Sequence, residues 1–421
     1  MTQADIWLAA GLRTPFLKVD GAFKGVDALG LSLPVAKAMA AQLGGGTPDF
    51  VIWGAVIPSL MWSNLAREVT IDAGLDPTTP AFSTVMACST SMVGAFEAAG
   101  MLDGKARDLA LVGGAESMSR VQIGLNPDLS DWVRGFAASR TLGERLKHLG
   151  ALRLGNALWI PKVVNRTSGL SMGEHTEITA KEWGIGRQEQ DQLALASHAG
   201  ALKGWDDGFF DSLVIPAFGA ERDNIPRRDT SLEKLARLKP AFDRQSGQGT
   251  LTAGNSSPLT DGAAAIWVGT EAGLARLPAL PRARLVDFEV AAVDFMKEGL
   301  LMAPAFAVPK LLARQGLTYA DIDVWEIHEA FTAQVAFHIT AWESESFLRD
   351  RAGVTAPLGV FPRERMNPNG GSTALGHPFG ATGARILSQA VKELAGKPKG
   401  SRAIVSICAD GGLGTVALLQ S

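Results

Sequence analysis

The sequence predicts an α/β layered fold made from two copies of one half, with a segment inserted into the first copy. Three observations lead there. Between Ile6 and Gly114, short apolar strand-like runs alternate with helix-like runs, as in layered α/β proteins. The same order of elements returns in the C-terminal third. The stretch between the halves has another texture, with basic residues interleaved with Trp and Phe before a polar helical run.

Taken in order, Ile6 to Ala10 reads as a strand. Leu33 to Leu43 reads as a helix, with Pro34 in its first turn and Gly44-Gly45-Gly46 ending it. Asp49 to Ile57 reads as a buried strand. Ala81 to Leu102 is the most membrane-like window, with Glu97 its one charge. Its Ser, Thr and Gly content, and its end at Asp103-Gly104-Lys105, suit a strand, a turn and a helix over Ser89 to Leu102. Leu109 to Gly114 is a further strand. In the second half, a helix over Ala305 to Gln315 and a strand over Asp321 to Ile327 repeat the earlier pair. A helix over Gly383 to Leu394 precedes a strand over Ala403 to Ile407. Gly411-Gly412 then mirrors Gly113-Gly114.

These patterns divide the chain into a first half (1–118 and 249–275), an inserted loop domain (119–248) and a second half (276–421). The insertion is expected to hold a polar helical stretch from Met172 to Ala201. It also holds Trp132 to Leu154, where Arg134, Arg140, Arg145, Lys147 and Arg153 oppose Glu144 and apolar residues fill the gaps at helical spacing. A packed surface helix is the plain reading of that segment. A docking surface for a membrane or a partner protein is the sharper one.

Composition narrows the classes of function. The chain has 421 residues, 46% of them apolar and 20% charged, which excludes disorder. A net charge of −3 argues against a nucleic-acid binder. Two cysteines, Cys88 and Cys408, exclude a disulfide scaffold and a Cys-rich metal site, and suit a reducing, cytoplasmic compartment. Met1 to Trp7 does not read as a signal peptide, nor Leu418 to Ser421 as a peroxisomal address.

The chemistry is carried by a few positions. Cys88 lies between a strand-like run and a helix-like run, which puts its thiol at a helix N-terminus. The helix dipole there is expected to lower the thiol pKa. A small core residue is the plain alternative. Cys408 ends a strand and precedes Ala409-Asp410-Gly411-Gly412-Leu413-Gly414, a turn whose backbone N–H groups could hold an oxyanion. His377 sits in the glycine-rich run from Asn369 to Arg385, which lacks both the P-loop Gly-Lys-Ser/Thr and the close Gly-x-Gly pair of a dinucleotide site. An imidazole there could take a thiol proton. His328 also follows a strand, in Ile327-His328-Glu329-Ala330-Phe331. Thr332 breaks any His-Glu-x-x-His pattern, so zinc is not expected there. Either histidine, taken singly, could be a structural imidazole.

In combination, these motifs resemble those of the thiolase family, in the same order and over essentially the whole chain. They are Cys88 in its strand-to-helix turn, Gly113 to Ser119, His328-Glu329-Ala330-Phe331, Gly370-Gly371 through Arg385, and Cys408 through Gly414. Arg13-Thr14-Pro15, Thr252 to Ser257 and Asp261 to Ala264 fit as well. His328, where most thiolases have Asn, together with Asn255 to Gly262, Gly376 to Gly380 and Asn64 to Glu68, looks most like the trifunctional-enzyme β-subunit branch. That branch is degradative and takes longer 3-ketoacyl-CoA chains.

The resemblance implies a five-layered αβαβα core. It also implies thiolysis of 3-ketoacyl-CoA to acetyl-CoA and a shortened acyl-CoA in fatty acid β-oxidation. Cys88 would become acylated, His377 would be its base, and Cys408 would protonate the acetyl-CoA enolate. His377, with a water positioned by His328, would hold the enolate oxygen. The backbone N–H groups of Cys88 and Asp410 would hold the tetrahedral oxyanion. Ser257 is expected along the pantetheine arm and Arg227 near the nucleotide end of CoA. CoA is a substrate, and no metal or other cofactor is implied. A homodimer or homotetramer is expected, with a hydratase–dehydrogenase subunit or a peripheral membrane contact as further partners.

One departure stands out: the family usually has Gly or Ala where this chain has Asp410. Two alternatives remain open. A biosynthetic acetoacetyl-CoA thiolase or Claisen-type synthase shares the halves, but such synthases usually lack a second catalytic cysteine. A non-catalytic acyl-CoA-binding subunit would be expected to have lost Cys or His residues that are all present here.

Overall fold

The computed structural model describes residues 5–152, 158–161 and 163–421. Arg153 and Leu154 of the basic segment, and Met1 to Ala4, lie outside the described residues.

Nine strands form one continuous hydrogen-bonded path, with Leu17–Lys18 paired beside it and Gly124–Leu125 and Leu158–Trp159 forming a separate two-stranded sheet. The path runs Val324–Ile327, Arg402–Ala409, Leu413–Gln420, Arg282–Ala292, Trp7–Ala9, Thr260–Gly269, Leu109–Glu116, Phe50–Gly54 and Ala81–Phe82. The two half-sheets meet at Trp7–Ala9, which pairs antiparallel with a long strand on each side. Each half contains parallel pairing: Phe50–Gly54 with Leu109–Glu116, and Val324–Ile327 with Arg402–Ala409. Parallel strands need helical crossovers, which cover the sheet faces.

Those helices make the layers. Ala28–Ala41 and Leu65–Asp72 cover the outer face of the first half-sheet, and Ala303–Gln315 covers that of the second, with Thr332–Trp342 packed on it. Thr90–Met101 and Thr382–Ala395 pack on each other between the half-sheets. The order αβαβα follows. Three apolar cores match it: a central one including Ile52, Phe96, Leu387 and Val405, and an outer one on each side. The two central helices begin side by side because Gly383 has no side chain. A Cβ there would stand 2.3 Å from the backbone nitrogen of Met92.

Several elements differ from the sequence expectation. The first helix starts at Ala28, five residues before Leu33, because the Asp27 side chain accepts from the Gly30 N–H and caps it. Pro34 therefore lies inside the helix rather than in its first turn. The polar stretch is two helices, Met172–Glu182 and Arg187–Asp206, separated by Gly184 at φ 66°. The segment from Trp132 is not one helix but part of a hairpin of two, Pro127–Ala138 and Leu142–Gly150. Thr141 starts the second with a capping box to Glu144. The plain reading of a packed surface helix fails. No residue of either helix is buried, and Leu142, Leu146 and Leu149 are exposed. The hairpin packs mainly on itself, Trp132 stacking on Phe136 and donating from Nε1 to the His148 carbonyl at 2.6 Å.

Candidate active site

The site forms where strand ends of both halves meet the first turns of the central helices. Cys88 sits in a short 3-10 turn, Ala87–Ser89, that opens helix Thr90–Met101. The residue before it, Ala87, has φ 46°, a left-handed conformation that costs a non-glycine residue energy and recurs at functional turns. Thr90 holds that turn: its hydroxyl donates to the Ala87 carbonyl at 2.8 Å and accepts from the Met86 N–H at 2.9 Å. Ser89 and Thr415 share a hydrogen bond of 3.0 Å between their hydroxyl oxygens, which ties the turn to the other half.

His377 arrives from the glycine-rich run. Gly376 before it has φ 96°, and a Cβ there would stand 2.8 Å from Cγ2 of Thr260. The His377 backbone N–H donates to Thr260 Oγ1 at 3.1 Å. His377 Nε2 lies 3.1 Å from the Cys88 sulfur, although the two residues are 289 positions apart. The ring's other nitrogen settles the tautomer. Nδ1 lies 2.6 Å from Thr382 Oγ1, and that hydroxyl donates to the Pro378 carbonyl at 3.0 Å. The Thr382 oxygen can then only accept from Nδ1–H, which leaves the Nε2 lone pair facing sulfur.

Electrostatics set the starting state of the pair. Burial, followed by the negative charge of Asp410, pushes the Cys88 thiol up to about 12. The helix-terminus expectation of a lowered pKa is therefore overturned. Loss of water and a nearby anion outweigh the helix end and the backbone N–H groups of Cys88 and Asp410, which act in the opposite direction. Burial, then the Arg385 cation, pulls His377 down to about 3. Thiol and imidazole are both neutral at physiological pH.

Cys408 lies at the end of strand Arg402–Ala409, fully buried, with its pKa pushed well up by burial and then by Cys88. Asp410 follows it. Its carboxylate accepts from Asn165 Nδ2 at 2.8 Å and from the Gly411 N–H at 2.7 Å. His328 follows strand Val324–Ile327, with its ring centroid 4.2 Å from that of His377. Burial, then His377 and Arg385, holds it well below the usual imidazole range. The neighbouring Glu329 faces elsewhere: its carboxylate accepts from Ser197 at 2.7 Å, Asn367 at 2.6 Å and the Thr373 N–H at 3.1 Å.

The structure thus gathers Cys88, His377 and His328, with the Asp410 N–H close enough to act on the Cys88 sulfur and Cys408 close enough to feel Cys88. Among the described residues, donor atoms of Cys88, His328 and His377 lie within 4.8 Å of one another. That set would suit a thiophilic cation, which would then occupy the Cys88 sulfur. Ser257 is half-buried, its hydroxyl donating to the Ala330 carbonyl at 2.9 Å beside the His328 loop. Arg227 is exposed, and its charge is felt by His198 in the insertion. Sequence reasoning missed Thr382, which fixes the His377 tautomer, and Asn165, which holds Asp410. Thr382 lies within the run already singled out, whereas Asn165 carries no motif.

The thiolase N-terminal domain family model matches residues 6–272 and the thiolase C-terminal domain model residues 279–421. The chain belongs to the thiolase family. It is 36% identical to the 3-ketoacyl-CoA thiolase of Yersinia enterocolitica over 428 aligned residues, covering 99% of this chain and 97% of that protein. It is equally similar to the 3-ketoacyl-CoA thiolase of Photobacterium profundum, at 36% over 430 residues with the same coverage. Among solved structures, a thiolase of Ascaris suum in complex with coenzyme A superposes with a TM-score of 0.79 at 26% identity, covering 99% of this chain and 100% of that one. The acetyl-CoA acetyltransferase of Bacillus anthracis gives 0.78 at 28%, covering 99% of each chain.

Proposed function

We propose that this protein is a degradative 3-ketoacyl-CoA thiolase, an acetyl-CoA C-acyltransferase of fatty acid β-oxidation. One observation carries the reading: a neutral thiol, Cys88, stands 3.1 Å from the lone-pair nitrogen of His377, with a second buried thiol, Cys408, beside it. His377 takes the Cys88 proton as sulfur attacks the 3-keto carbonyl. The tetrahedral oxyanion is held by the N–H groups of Cys88 and Asp410. The carbon–carbon bond then breaks, leaving an acyl group on Cys88 and the acetyl-CoA enolate. The enolate oxygen is held by His377 and a water positioned by His328. Cys408 supplies the proton to the enolate carbon; its thiolate then takes the CoA thiol proton as the CoA sulfur attacks the acyl group, and the departing Cys88 sulfur recovers its proton from His377. A second thiol that stays protonated supports this assignment over a synthase with one catalytic cysteine.

CoA and acyl-CoA are substrates in this reading, with Ser257 along the pantetheine arm and Arg227 toward the nucleotide, and no resident cofactor is used. Both thiols must stay reduced, which fits the cytoplasm; among the described residues no helix is long and apolar enough to cross a membrane. A homodimer or homotetramer is the proposed assembly. The exposed, basic and apolar hairpin Pro127–Gly150 is proposed to meet a hydratase–dehydrogenase subunit or a membrane surface. The test of the function is CoA-dependent cleavage of 3-ketoacyl-CoA substrates of several lengths. Absence of acetyl-CoA release with every length would refute it.

A further inference from the structure

We propose that Ser372 and Arg385 are positioning residues that hold the His328 imidazole with its proton on Nε2, so that it presents an N–H to an oxygen beside Cys88. The inference rests on the thiolase reading above and gives His328 a defined chemical sense within it.

The argument is a count of hydrogens in a closed space. His328 and Ser372 are both fully buried. His328 Nδ1 lies 2.8 Å from Ser372 Oγ. The same oxygen accepts from Arg385 Nη2 at 2.7 Å, and a guanidinium can only donate. The serine hydroxyl hydrogen therefore needs an acceptor of its own. Among the described residues, His328 Nδ1 is the one that the geometry supplies. Were Nδ1 to carry the proton, a buried donor would be left without a partner. Nδ1 accepts, so Nε2 carries the hydrogen.

Nε2 itself is buried and, among the described residues, has no partner. A buried donor left open at a site calls for a ligand atom. The nearby cluster shows where that atom sits, because donor atoms of Cys88, His328 and His377 lie within 4.8 Å of one another. An oxygen of the bound thioester, or of the water that bridges to it, takes the N–H there. Arg385 is itself anchored on a second side, where it reaches Gln389 Oε1 at 3.3 Å, and Gln389 donates to Glu326 at 3.1 Å. Burial lowers Arg385 only to about 10, so it stays a cation at neutral pH and cannot turn acceptor.

The adjacent rings are thus set in opposite senses. Thr382 makes His377 an acceptor toward sulfur, and Ser372 makes His328 a donor toward oxygen. A neutral imidazole without the serine could adopt either tautomer and would present a lone pair to the oxygen part of the time.

The test uses the full-length enzyme labelled with 15N-histidine. Long-range 1H–15N correlation should show His328 as the Nε2–H tautomer in the wild type and a mixture in Ser372→Ala. Deuterium exchange at the α-carbon of acetyl-CoA should fall about 10-fold or more in Ser372→Ala, as expected when an oxyanion donor is weakened. Acylation of Cys88 by a saturated acyl-CoA should persist, because it uses the other oxyanion site, and Ser372→Thr should restore exchange. An Nδ1–H tautomer in the wild type overturns the proposal. So does unchanged exchange in Ser372→Ala, or an equal fall of exchange and acylation. A wild type that never acylates Cys88 would instead sink the thiolase reading, while the correlation spectrum would still decide the tautomer.

Discussion

His377 Nε2 stands 3.1 Å from the Cys88 sulfur with neither group charged. Burial lifts the thiol to about 12 and lowers the imidazole to about 3, so no thiolate–imidazolium pair is stored in the resting enzyme. The proton moves only when an acceptor carbonyl arrives, and the sulfur is protected from idle oxidation until then.

The nucleophile assignment predicts that Cys88→Ser eliminates acyl-enzyme formation and thiolysis, since a serine hydroxyl is a much poorer nucleophile beside one imidazole. Intact-mass spectrometry after mixing with acyl-CoA reads this directly. Acylation surviving in the variant would place the nucleophile elsewhere.

Cys408→Ala should still allow Cys88 to be acylated by a saturated acyl-CoA. Proton exchange at the acetyl α-carbon should fall by about 10²–10⁴, the usual worth of a general acid or base. Deuterium exchange into acetyl-CoA measures it, and exchange at the wild-type rate contradicts the assignment.

Asp410 offers a pH test. Its charge raises the Cys88 thiol, second only to burial, so Asp410→Asn should lower that pKa while an amide oxygen can still accept from Asn165. Alkylation of Cys88 by iodoacetamide should move to lower pH, because a pKa lower by about one gives about tenfold more thiolate at a fixed pH. In the wild type, His377 protonates only near pH 3, so the base stays available above that value. kcat/KM should therefore show no histidine inflection between about pH 5 and 8, where an unperturbed imidazole would titrate. An inflection near 6.5, about the free imidazole value, would show that burial and Arg385 do not depress the His377 imidazole.

Stability across the insertion depends on a buried ion pair. Asp223, in the inserted segment, receives Arg13 Nη1 and Nη2 at 2.6 and 2.7 Å and the Phe16 N–H at 2.7 Å. The side chains of Arg13 and Asp223 are only 4% and 0% exposed. Asp223→Ala leaves the guanidinium buried and unpaired, at a cost of about 3–5 kcal/mol. Urea unfolding should show this as a lower midpoint with an unchanged slope. A loss under about 1 kcal/mol, the scale of an exposed pair, would mean that water reaches the pair.

The hairpin Pro127–Gly150 should act outside the chemistry. Replacing Arg140, Arg145 and Lys147 with Glu should weaken co-sedimentation with anionic liposomes, or co-purification with a hydratase–dehydrogenase chain, and thiolysis of soluble substrates should persist. The attachment should weaken with salt, because exposed charges are screened over about 8 Å at physiological ionic strength. Loss of thiolysis with attachment intact would instead place the hairpin at the substrate pocket.

The sequence by itself determined the alternation of strands and helices, the duplication, and the positions proposed to carry the chemistry. Cys88, His328, His377 and Cys408 were legible because each lies at a strand end or in a glycine-rich run, and such features are local. Tertiary structure decided how those groups behave. The Cys88 thiol moves up rather than down because burial and Asp410 outweigh the helix end, and burial is a property of the packed molecule. The contact of Asp410 with Asn165 spans 245 positions, and no pattern marks it. The tautomers of His377 and His328 depend on Thr382 and Ser372, whose hydroxyl hydrogens have a direction only once Pro378 and Arg385 are packed around them. The hairpin was hidden for a related reason. Helical spacing of Leu142, Leu146 and Leu149 predicts a helix face, and that face is exposed because no core lies beneath it among the described residues.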